Sequence, residues 1–395
     1  MRLENKYAIE AVLFLSYVLF AMAWVGGTFY MEPIMAQAGI DSYANASLLS
    51  GSVTFAKIVG TFAAAALAAK VGLKWAFFAA AVMVVAGWAT PYAQQFDWLL
   101  ASRFLMGLGG ALMVVYFNPY VLRYFPPSQR PVVNGLNAVA FNVGTALVLW
   151  LMPTLTQWSG HWQTTLSLLS AASALLALLW LLAPEPEQSA GAQQKAAPYP
   201  YRTGLADPFN WAYALTYSGL LAFYICLFTF YPQAGFSATK WVIGFGILGT
   251  IAGTYYSQRV SKRRPVIRFS GLVITLSAAW MTFAAPEAWQ PVAAAVLGFA
   301  IFFPISALVT LPQELPGMTP SRITVVFSLF WSISYLVATV VLWVFGLMVD
   351  ANQGDFTWAL VMITAVSLTF FLGSFALPEP SQQAVEAKEC PDAAS

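Results

Sequence analysis

Two basic residues, Lys57 and Arg103, interrupt runs of sequence that are otherwise strongly apolar. A charged side chain is costly in hydrocarbon, so each residue is by default a candidate for a functional site. At the rise of an α-helix, Lys57 would lie roughly 18 Å from either end of its run, and Arg103 roughly 8–9 Å from the start of its run. No carboxylate lies at a comparable depth, and the plausible counter-ions are Glu10 and Glu32, near the two ends of the first run.

Two cations in such positions could recognise negative charge. The planar guanidinium and the point-charge ammonium both suit carboxylates and oxyanions. A cationic compound would be repelled and would need a membrane-embedded Asp or Glu. Structural roles remain open as alternatives, because Lys57 could be neutral or paired with a carboxylate of another helix. Arg103 could equally brace helices by donating to backbone carbonyls.

Aromatic and amide residues could complete a binding site around these cations. Tyr17 and Trp24 stand seven residues apart in the first run, which places them on one helical face. Asn142 and Tyr217 lie deep in the fifth and seventh runs. Helix packing or an interfacial belt is the competing interpretation of each. We predict a substrate site made of Lys57, Arg103, Tyr17, Trp24, Asn142 and Tyr217.

A second set of residues, near the ends of the runs, could control gating or coupling. Glu314 and Arg322 flank one connection and could form a gate pair, although a solvated loop explains them equally well. The other gating candidates are Glu32, Lys70, Gly72 and Lys74.

Apolar runs long enough to cross a bilayer would position all of these side chains. A composition of 59% hydrophobic and 9% charged residues is typical of a chain embedded in lipid and excludes a soluble domain. We predict an all-α membrane protein with twelve transmembrane helices in two pseudo-symmetric six-helix halves. The predicted spans are residues 8–31, 45–69, 75–93, 98–120, 132–156, 162–183, 209–231, 239–258, 265–285, 289–312, 323–349 and 356–377.

Weak internal repeats divide the chain. Pro184-Glu185-Pro186 follows the sixth run and Pro378-Glu379-Pro380 follows the twelfth. Asn118-Pro119 and Leu311-Pro312 close the fourth and tenth runs at nearly the same offset. Parallel repeats of this kind are typical of transporters. We predict an N-terminal half over residues 1–184, a cytoplasmic linker over 185–208, a C-terminal half over 209–378 and a cytoplasmic tail over 379–395.

The distribution of the 18 Lys and Arg residues predicts the orientation. Most of them fall in loops on one side, together with both termini, and only Lys240 falls in a loop on the other side. Because short cytoplasmic loops are enriched in Lys and Arg, both termini are expected to be cytoplasmic. We expect a multi-pass protein of the bacterial inner membrane.

The stretch Arg103-Phe104-Leu105-Met106-Gly107-Leu108-Gly109-Gly110-Ala111 resembles the fourth-helix motif of the major facilitator superfamily, and the resemblance covers essentially the whole chain. The loop from Ala65 to Lys74 is similar to the signature between the second and third helices, but Ala65 and Ala69 replace its usual Gly and Asp. This departure puts the family's charge-relay locking of the cytoplasmic face in doubt. The resemblance implies transport by alternating access. In the superfamily that the chain resembles, the fourth-helix Arg is often linked to proton coupling.

The antiporter motif of the fifth helix is only partly present. Gly135 and Gly144 are spaced like its first glycines, but Val148 stands where the next Gly is expected. The eleventh run resembles the cyanate and nitroimidazole permease branch of the superfamily.

No residue pattern indicates an enzyme. We find no metal-ligand cluster, phosphate-binding glycine loop or Ser/His/Asp arrangement, so neither a metal nor another cofactor is expected. The basic run from Arg259 to Arg268 could indicate nucleic acid or anionic lipid, but the preference for positive cytoplasmic loops already explains it. We therefore expect no nucleic-acid partner.

The sequence thus predicts a monomeric secondary transporter in the lipid bilayer that moves a small organic anion or oxyanion. Import by proton symport is favoured over exchange. Export of amphipathic or drug-like compounds is the first alternative. A transport-inactive sensor or assembly protein on the same fold is the second.

Overall fold

A computed structural model describes residues 5–126, 128–184 and 199–379, and these ranges are helical with short connections. Residues 185–198 of the predicted linker and residues 380–395 of the predicted tail lie outside the described ranges. The part of the predicted linker that the structure describes contains a short helix, Tyr201–Ala206. The division into domains stays a prediction.

Six long helical segments and one short helix make up the first part of the chain. The fourth helix in chain order, α4, continues as a 3-10 helix over Ala86–Tyr92. Their bounds are α1 Lys6–Phe29, α2 Met31–Ala38, α3 Tyr43–Val71, α4 Leu73–Val85, α5 Phe96–Tyr124, α6 Arg130–Ser159 and α7 Trp162–Trp180.

The second part of the chain is more often interrupted. One predicted span is divided into α12 and α13 at Pro304, because the proline ring and the missing N–H disrupt the helix there. The helices are α8 Tyr201–Ala206, α9 Pro208–Thr229, α10 Thr239–Ser257, α11 Arg264–Ala279, α12 Gln290–Phe302, α13 Ile305–Thr310, α14 Pro320–Ala351 and α15 Thr357–Gly373.

The helical segments confirm a multi-pass membrane protein. Within the described residues, ten segments are long and apolar enough to cross a bilayer, and α15 is an apolar helix just below that length. Each of the twelve predicted spans corresponds to a helical segment, and the predicted span 239–258 corresponds to α10. The all-α prediction is confirmed, and ten of the twelve predicted spans have, among the described residues, the length and hydropathy of a membrane crossing.

The described residues form two contact units. The first holds the described residues before position 185 together with Ile225–Lys240 and Ala338–Ala359. Within it, α3 packs against α5, and α1 packs against α6 and α7. A Cβ on Gly107 would lie 2.8 Å from the Val53 Cα, so the fourth-span glycine permits this close approach of α5 and α3.

The second unit holds Trp241–Val337 and the described parts of 199–224 and 360–379. Within it, α11 packs against α12. Tyr213 of α9 stacks on Phe330 of α14 with ring centroids 4.5 Å apart. The Tyr213 hydroxyl donates to the Leu308 carbonyl at 2.9 Å, which joins α9 to α13.

Candidate functional site

The ammonium of Lys57 lies inside an aromatic cage in the first unit. Its Nζ is 5.8 Å from the centroid of Tyr17, 5.5 Å from Phe20, 5.4 Å from Trp24 and 5.6 Å from Phe141. Nζ also donates to the Tyr17 hydroxyl at 3.3 Å, and the residue is 5% exposed. Helices α1, α3 and α6 thus converge on one buried cation.

The cage is a continuous aromatic wall. Tyr17 stacks on Phe20 at 5.4 Å, and Trp24 meets Phe141 edge-on at 5.2 Å. Phe228, from the end of α9, extends the wall because its ring lies 5.7 Å from that of Trp24. The negative faces of aromatic rings attract a cation, so this wall can hold the ammonium of Lys57 without neutralising it.

Polar contacts fix the position of Trp24. Its indole Nε1 donates to Ser50 Oγ at 3.1 Å, and Ser50 shares a hydrogen bond of 3.0 Å with the Thr229 hydroxyl. The indole is therefore held between α3 and the end of α9. This orientation keeps one ring face toward Lys57.

Arg103, on α5, is fully buried and has a different environment. Its Nε donates to the Leu49 carbonyl at 3.0 Å, Nη1 to the Ala23 carbonyl at 3.1 Å, and Nη2 to the Trp24 carbonyl at 2.9 Å. These acceptors belong to α3 and α1. The guanidinium therefore links three helices through backbone carbonyls.

Gly27 provides the space that this guanidinium needs. A Cβ built on Gly27 would lie 2.1 Å from the Arg103 Nη1 and 2.8 Å from its Cζ. Both distances are too short for a real contact, so a side chain at position 27 would force the guanidinium of Arg103 to shift. The sequence did not single out Gly27.

A carboxylate from α14 caps the helix that carries Lys57. Asp350 accepts from the Ser42 hydroxyl at 2.7 Å and from the backbone N–H groups of Tyr43 and Ala44 at 2.7 and 3.0 Å. A negative charge at a helix N-terminus is favourable because it satisfies free N–H groups and the helix dipole. Asp350 thus fixes the start of α3.

Two further predicted substrate residues are in different surroundings. Asn142 is buried and follows the cage residue Phe141 in α6. Tyr217 belongs to the second unit, where its ring stacks on Phe330 at 5.0 Å and meets Trp331 edge-on at 5.7 Å. Their role in substrate binding stays a prediction.

The two acids considered as counter-ions for Lys57 lie elsewhere. Glu10 is 5% exposed and lies beside Asn137 of α6. Among the described residues, neither its carboxylate oxygens nor the Asn137 amide has a hydrogen bond of normal geometry. Glu32 is exposed in the first turn of α2.

The predicted gating loop after α3 forms a tight turn. Gly72 has φ of 84°, a value that favours glycine, and separates α3 from α4. Lys74 donates to the Leu181 carbonyl at 2.9 Å, and Trp180 Nε1 donates back to the Lys74 carbonyl at 3.0 Å. Lys70 is exposed. The loop is therefore fastened to the end of α7.

The hypothesised gate pair between Glu314 and Arg322 is corrected by the structure. Glu314 receives two hydrogen bonds from Arg263, at 2.9 Å from Nε and 2.7 Å from Nη2. Arg322 instead donates to Asp207 at 3.0 Å. The two bonds from Arg263 reach both carboxylate oxygens of Glu314, the bidentate geometry that a planar guanidinium favours. Glu314 and Arg322 therefore pair with other residues and not with each other.

Sequence reasoning missed several of these residues. Phe20 could have been found, because it lies between Tyr17 and Trp24 on the same helical face. Phe141 gave no signal, since nothing in the sequence sets the register of α6 against α1. Arg263 was one cation in a basic run, and Asp207 was not considered.

Among the described residues, no group of three or more His, Cys, Asp or Glu side chains could hold a metal ion. What the first unit contains is a buried cation in an aromatic cage, built on transmembrane helices. The helices define a polytopic membrane protein, and the cage is its candidate binding site.

The chain belongs to the Major Facilitator Superfamily, whose family description matches residues 13–341. It is 27% identical over 238 residues to an uncharacterized protein of Campylobacter jejuni, covering 59% of this chain and 74% of that protein. The inward open xylose transporter XylE of E. coli shares the fold, with a TM-score of 0.74 and 16% identity over 98% of this chain and 100% of that chain.

A bacterial homolog of the human lysosomal transporter Spinster, in an inward-facing and occupied conformation, is also similar. Its TM-score is 0.68 at 19% identity, over 94% of this chain and 95% of that chain. At these identities the solved structures show the fold alone.

Proposed function

We propose that this protein is a secondary transporter of a small organic anion or oxyanion. The observation that carries the proposal is the ammonium of Lys57 in its cage of Tyr17, Phe20, Trp24 and Phe141. A desolvated ammonium attracts a carboxylate more strongly than it is attracted by ring faces, which contribute about 0.5–2 kcal/mol each. A bound anion can therefore take the place of some of the contacts between the ammonium and the ring faces.

The walls of the cage indicate the kind of anion. Four aromatic rings surround the cation, so the rest of the ligand meets apolar surface. A carboxylate attached to a small planar or apolar body fits both features, because specificity in such sites comes from a few polar groups in an apolar pocket.

Arg103 acts on this site indirectly in our proposal. Its guanidinium donates to three backbone carbonyls, including those of Ala23 and Trp24 in the helix that carries the cage. We assign it the bracing role that was open in the sequence, as a positioning residue for Trp24. Direct contact with substrate belongs to Lys57.

Proton symport is the proposed coupling, and the inner membrane with cytoplasmic termini the proposed setting. The buried Glu10 supports this coupling, because it lies on α1 with the cage residues and beside Asn137 of α6. Uptake by wild type into liposomes should be fastest when the outside is acidic and should fall when this pH gradient is removed or reversed. Glu10→Gln should transport without responding to the gradient. An unchanged response in Glu10→Gln would remove Glu10 from the coupling step.

Export of amphipathic compounds is the second candidate. The aromatic wall that Phe228 extends beyond Trp24 favours it, since such rings also bind uncharged planar molecules. Under this function, efflux of hydrophobic dyes should be unaffected by Lys57→Gln.

Uptake by purified protein in liposomes separates these functions. A panel of labelled small carboxylates and oxyanions is tested with wild type, Lys57→Gln and Lys240→Gln. The matched control removes a lysine that also faces an aromatic ring, that of Trp150 at 5.1 Å, but outside the cage. We expect anion uptake that Lys57→Gln abolishes and Lys240→Gln keeps. Equal uptake by all three proteins would refute the anion site.

A further inference from the structure

Three basic residues converge on a pocket at the predicted cytoplasmic ends of α11 and α15. The pocket has a volume of about 560 Å³, and Lys262, Arg264 and Arg268 line it. A preference for positive cytoplasmic loops explains why these residues are basic. It does not explain why they share one pocket.

Glu379 is the one carboxylate among the described residues that line the pocket, and it is already engaged with the backbone. Glu379 accepts from the backbone N–H of Arg263 at 2.6 Å and from that of Arg264 at 3.0 Å. It therefore caps the start of α11, where negative charge is favourable. Three cations remain against one carboxylate, so the pocket carries excess positive charge.

Local contacts hold the two guanidinium groups in place. Arg268 stacks on Phe375, with its Cζ 3.8 Å from the ring centroid, and Arg264 donates from Nη2 to the Phe375 carbonyl at 3.3 Å. The Nε of Arg264 is buried without a hydrogen-bond partner among the described residues. A planar guanidinium with donors to spare is suited to phosphate oxygens.

The side of the pocket away from the charges is apolar and exposed. Phe269 is 71% exposed and Leu272 is also exposed, and both line the same pocket from α11, after Arg268 in the chain. On a membrane-spanning helix this surface faces lipid. Cations at the interface beside an apolar groove match the two parts of a phospholipid, its head group and its acyl chain.

We propose that this pocket binds an anionic phospholipid, with the phosphate held by Arg264, Arg268 and Lys262 and an acyl chain lying along Phe269 and Leu272. Basic pockets between transmembrane helices are known settings for anionic head groups. The site is independent of the transport substrate, since it lies in the second unit and shares no residue with the cage around Lys57.

The test uses the full-length protein in detergent micelles. Phosphatidylglycerol and phosphatidylcholine with identical acyl chains are titrated, and retained lipid is counted by native mass spectrometry. We expect preferential retention of phosphatidylglycerol. Arg264→Gln combined with Arg268→Gln should raise its apparent Kd about 30-fold, from the loss of two interfacial cations.

A matched double variant removes the same charge outside the pocket. Arg202→Gln combined with Arg259→Gln changes two basic residues of the same predicted side, and its Kd should stay within about threefold of wild type. Equal weakening in both double variants would overturn the site, because general charge would then explain retention. Equal retention of phosphatidylcholine by the wild type would overturn it too.

A soluble phosphate is the other source of this chemistry. Glycerol 3-phosphate should displace the lipid only at far higher concentration, because it lacks the acyl chain that Phe269 and Leu272 would contact. Displacement at equal concentration would overturn the lipid assignment. If the double variant melts early, Arg268→Gln alone should still raise the Kd about fivefold, and Arg268→Lys, which keeps the charge, should restore most of the affinity.

Discussion

Lys57 and Arg103 are two buried cations in the same contact unit, and the structure treats them differently. Arg103 donates to three backbone carbonyls on two neighbouring helices. Lys57 faces the rings of Tyr17, Phe20, Trp24 and Phe141, and its contacts include a hydrogen bond to the Tyr17 phenol. Each cation touches α1, which Arg103 links to α3 and α5 and which supplies three of the four rings around Lys57.

The difference follows from the chemistry of the two side chains. A guanidinium has five donors in a fixed plane and can satisfy several acceptors at once. An ammonium is a compact charge whose attraction to ring faces is weak enough to be exchanged for an anion. A cation held by fixed carbonyls is suited to structure, and a cation held by ring faces is suited to binding.

Removing the brace should have the largest effect. Arg103→Gln loses three charge-assisted hydrogen bonds, and we expect a loss of about 3 kcal/mol in stability. Thermal unfolding in detergent measures it. Arg123→Gln, at the exposed end of the same helix, should unfold like wild type. If both variants unfold at the wild-type temperature, Arg103 is not a brace.

Removing the caged cation should affect function without this cost. Lys57→Met keeps the length of the side chain but not the charge, so anion affinity should fall about 30-fold or more. Because a buried ammonium carries a desolvation penalty, the melting temperature should stay equal to wild type or rise. Strong destabilisation by Lys57→Met would make the two cations alike and would remove the contrast.

Crowding the brace should have a smaller effect than deleting it. Alanine at position 27 would place its Cβ 2.1 Å from the Arg103 Nη1, so the guanidinium must shift, and we expect Gly27→Ala to cost about 2 kcal/mol. The neighbouring Gly26→Ala is the control, since its Cβ would meet side-chain atoms of Leu166, Met152 and Leu169, at 3.0, 3.2 and 3.8 Å. Similar unfolding of both variants would count against a tightly fitted guanidinium.

The sequence could predict where the cations lie but not what holds them. A charge in a long apolar run is visible in any sequence, and so is a mid-span proline such as Pro304. The acceptors of Arg103 are backbone carbonyls, which every residue has, so no residue type marks them. Phe141 reaches Lys57 through the packing of α6 on α1, which depends on tertiary register.

The wrong gate pair has a similar cause. Glu314 and Arg322 are close in the chain, and proximity made them natural partners. In the structure Arg263 comes to Glu314 from the start of α11, fifty-one residues away, and Arg322 turns to Asp207. Ion pairs between helices depend on which helix ends meet, and spacing along one loop carries no information about that.

The smallest expected effect belongs to the phenol of the cage. Tyr17→Phe keeps the ring but removes the hydroxyl that accepts from Lys57 at 3.3 Å. That hydrogen bond is long, so we expect anion affinity to change by no more than about fivefold. The sign of the change in affinity is informative. If the phenol competes with the anion for the ammonium, its loss tightens anion binding. If the phenol orients the ammonium, its loss weakens anion binding. Tyr116→Phe is the control, since its hydroxyl donates to the Ala64 carbonyl at 3.0 Å and is not part of the cage. A larger loss in Tyr17→Phe than in Lys57→Met would mean that the phenol, and not the cation, is the principal anion ligand.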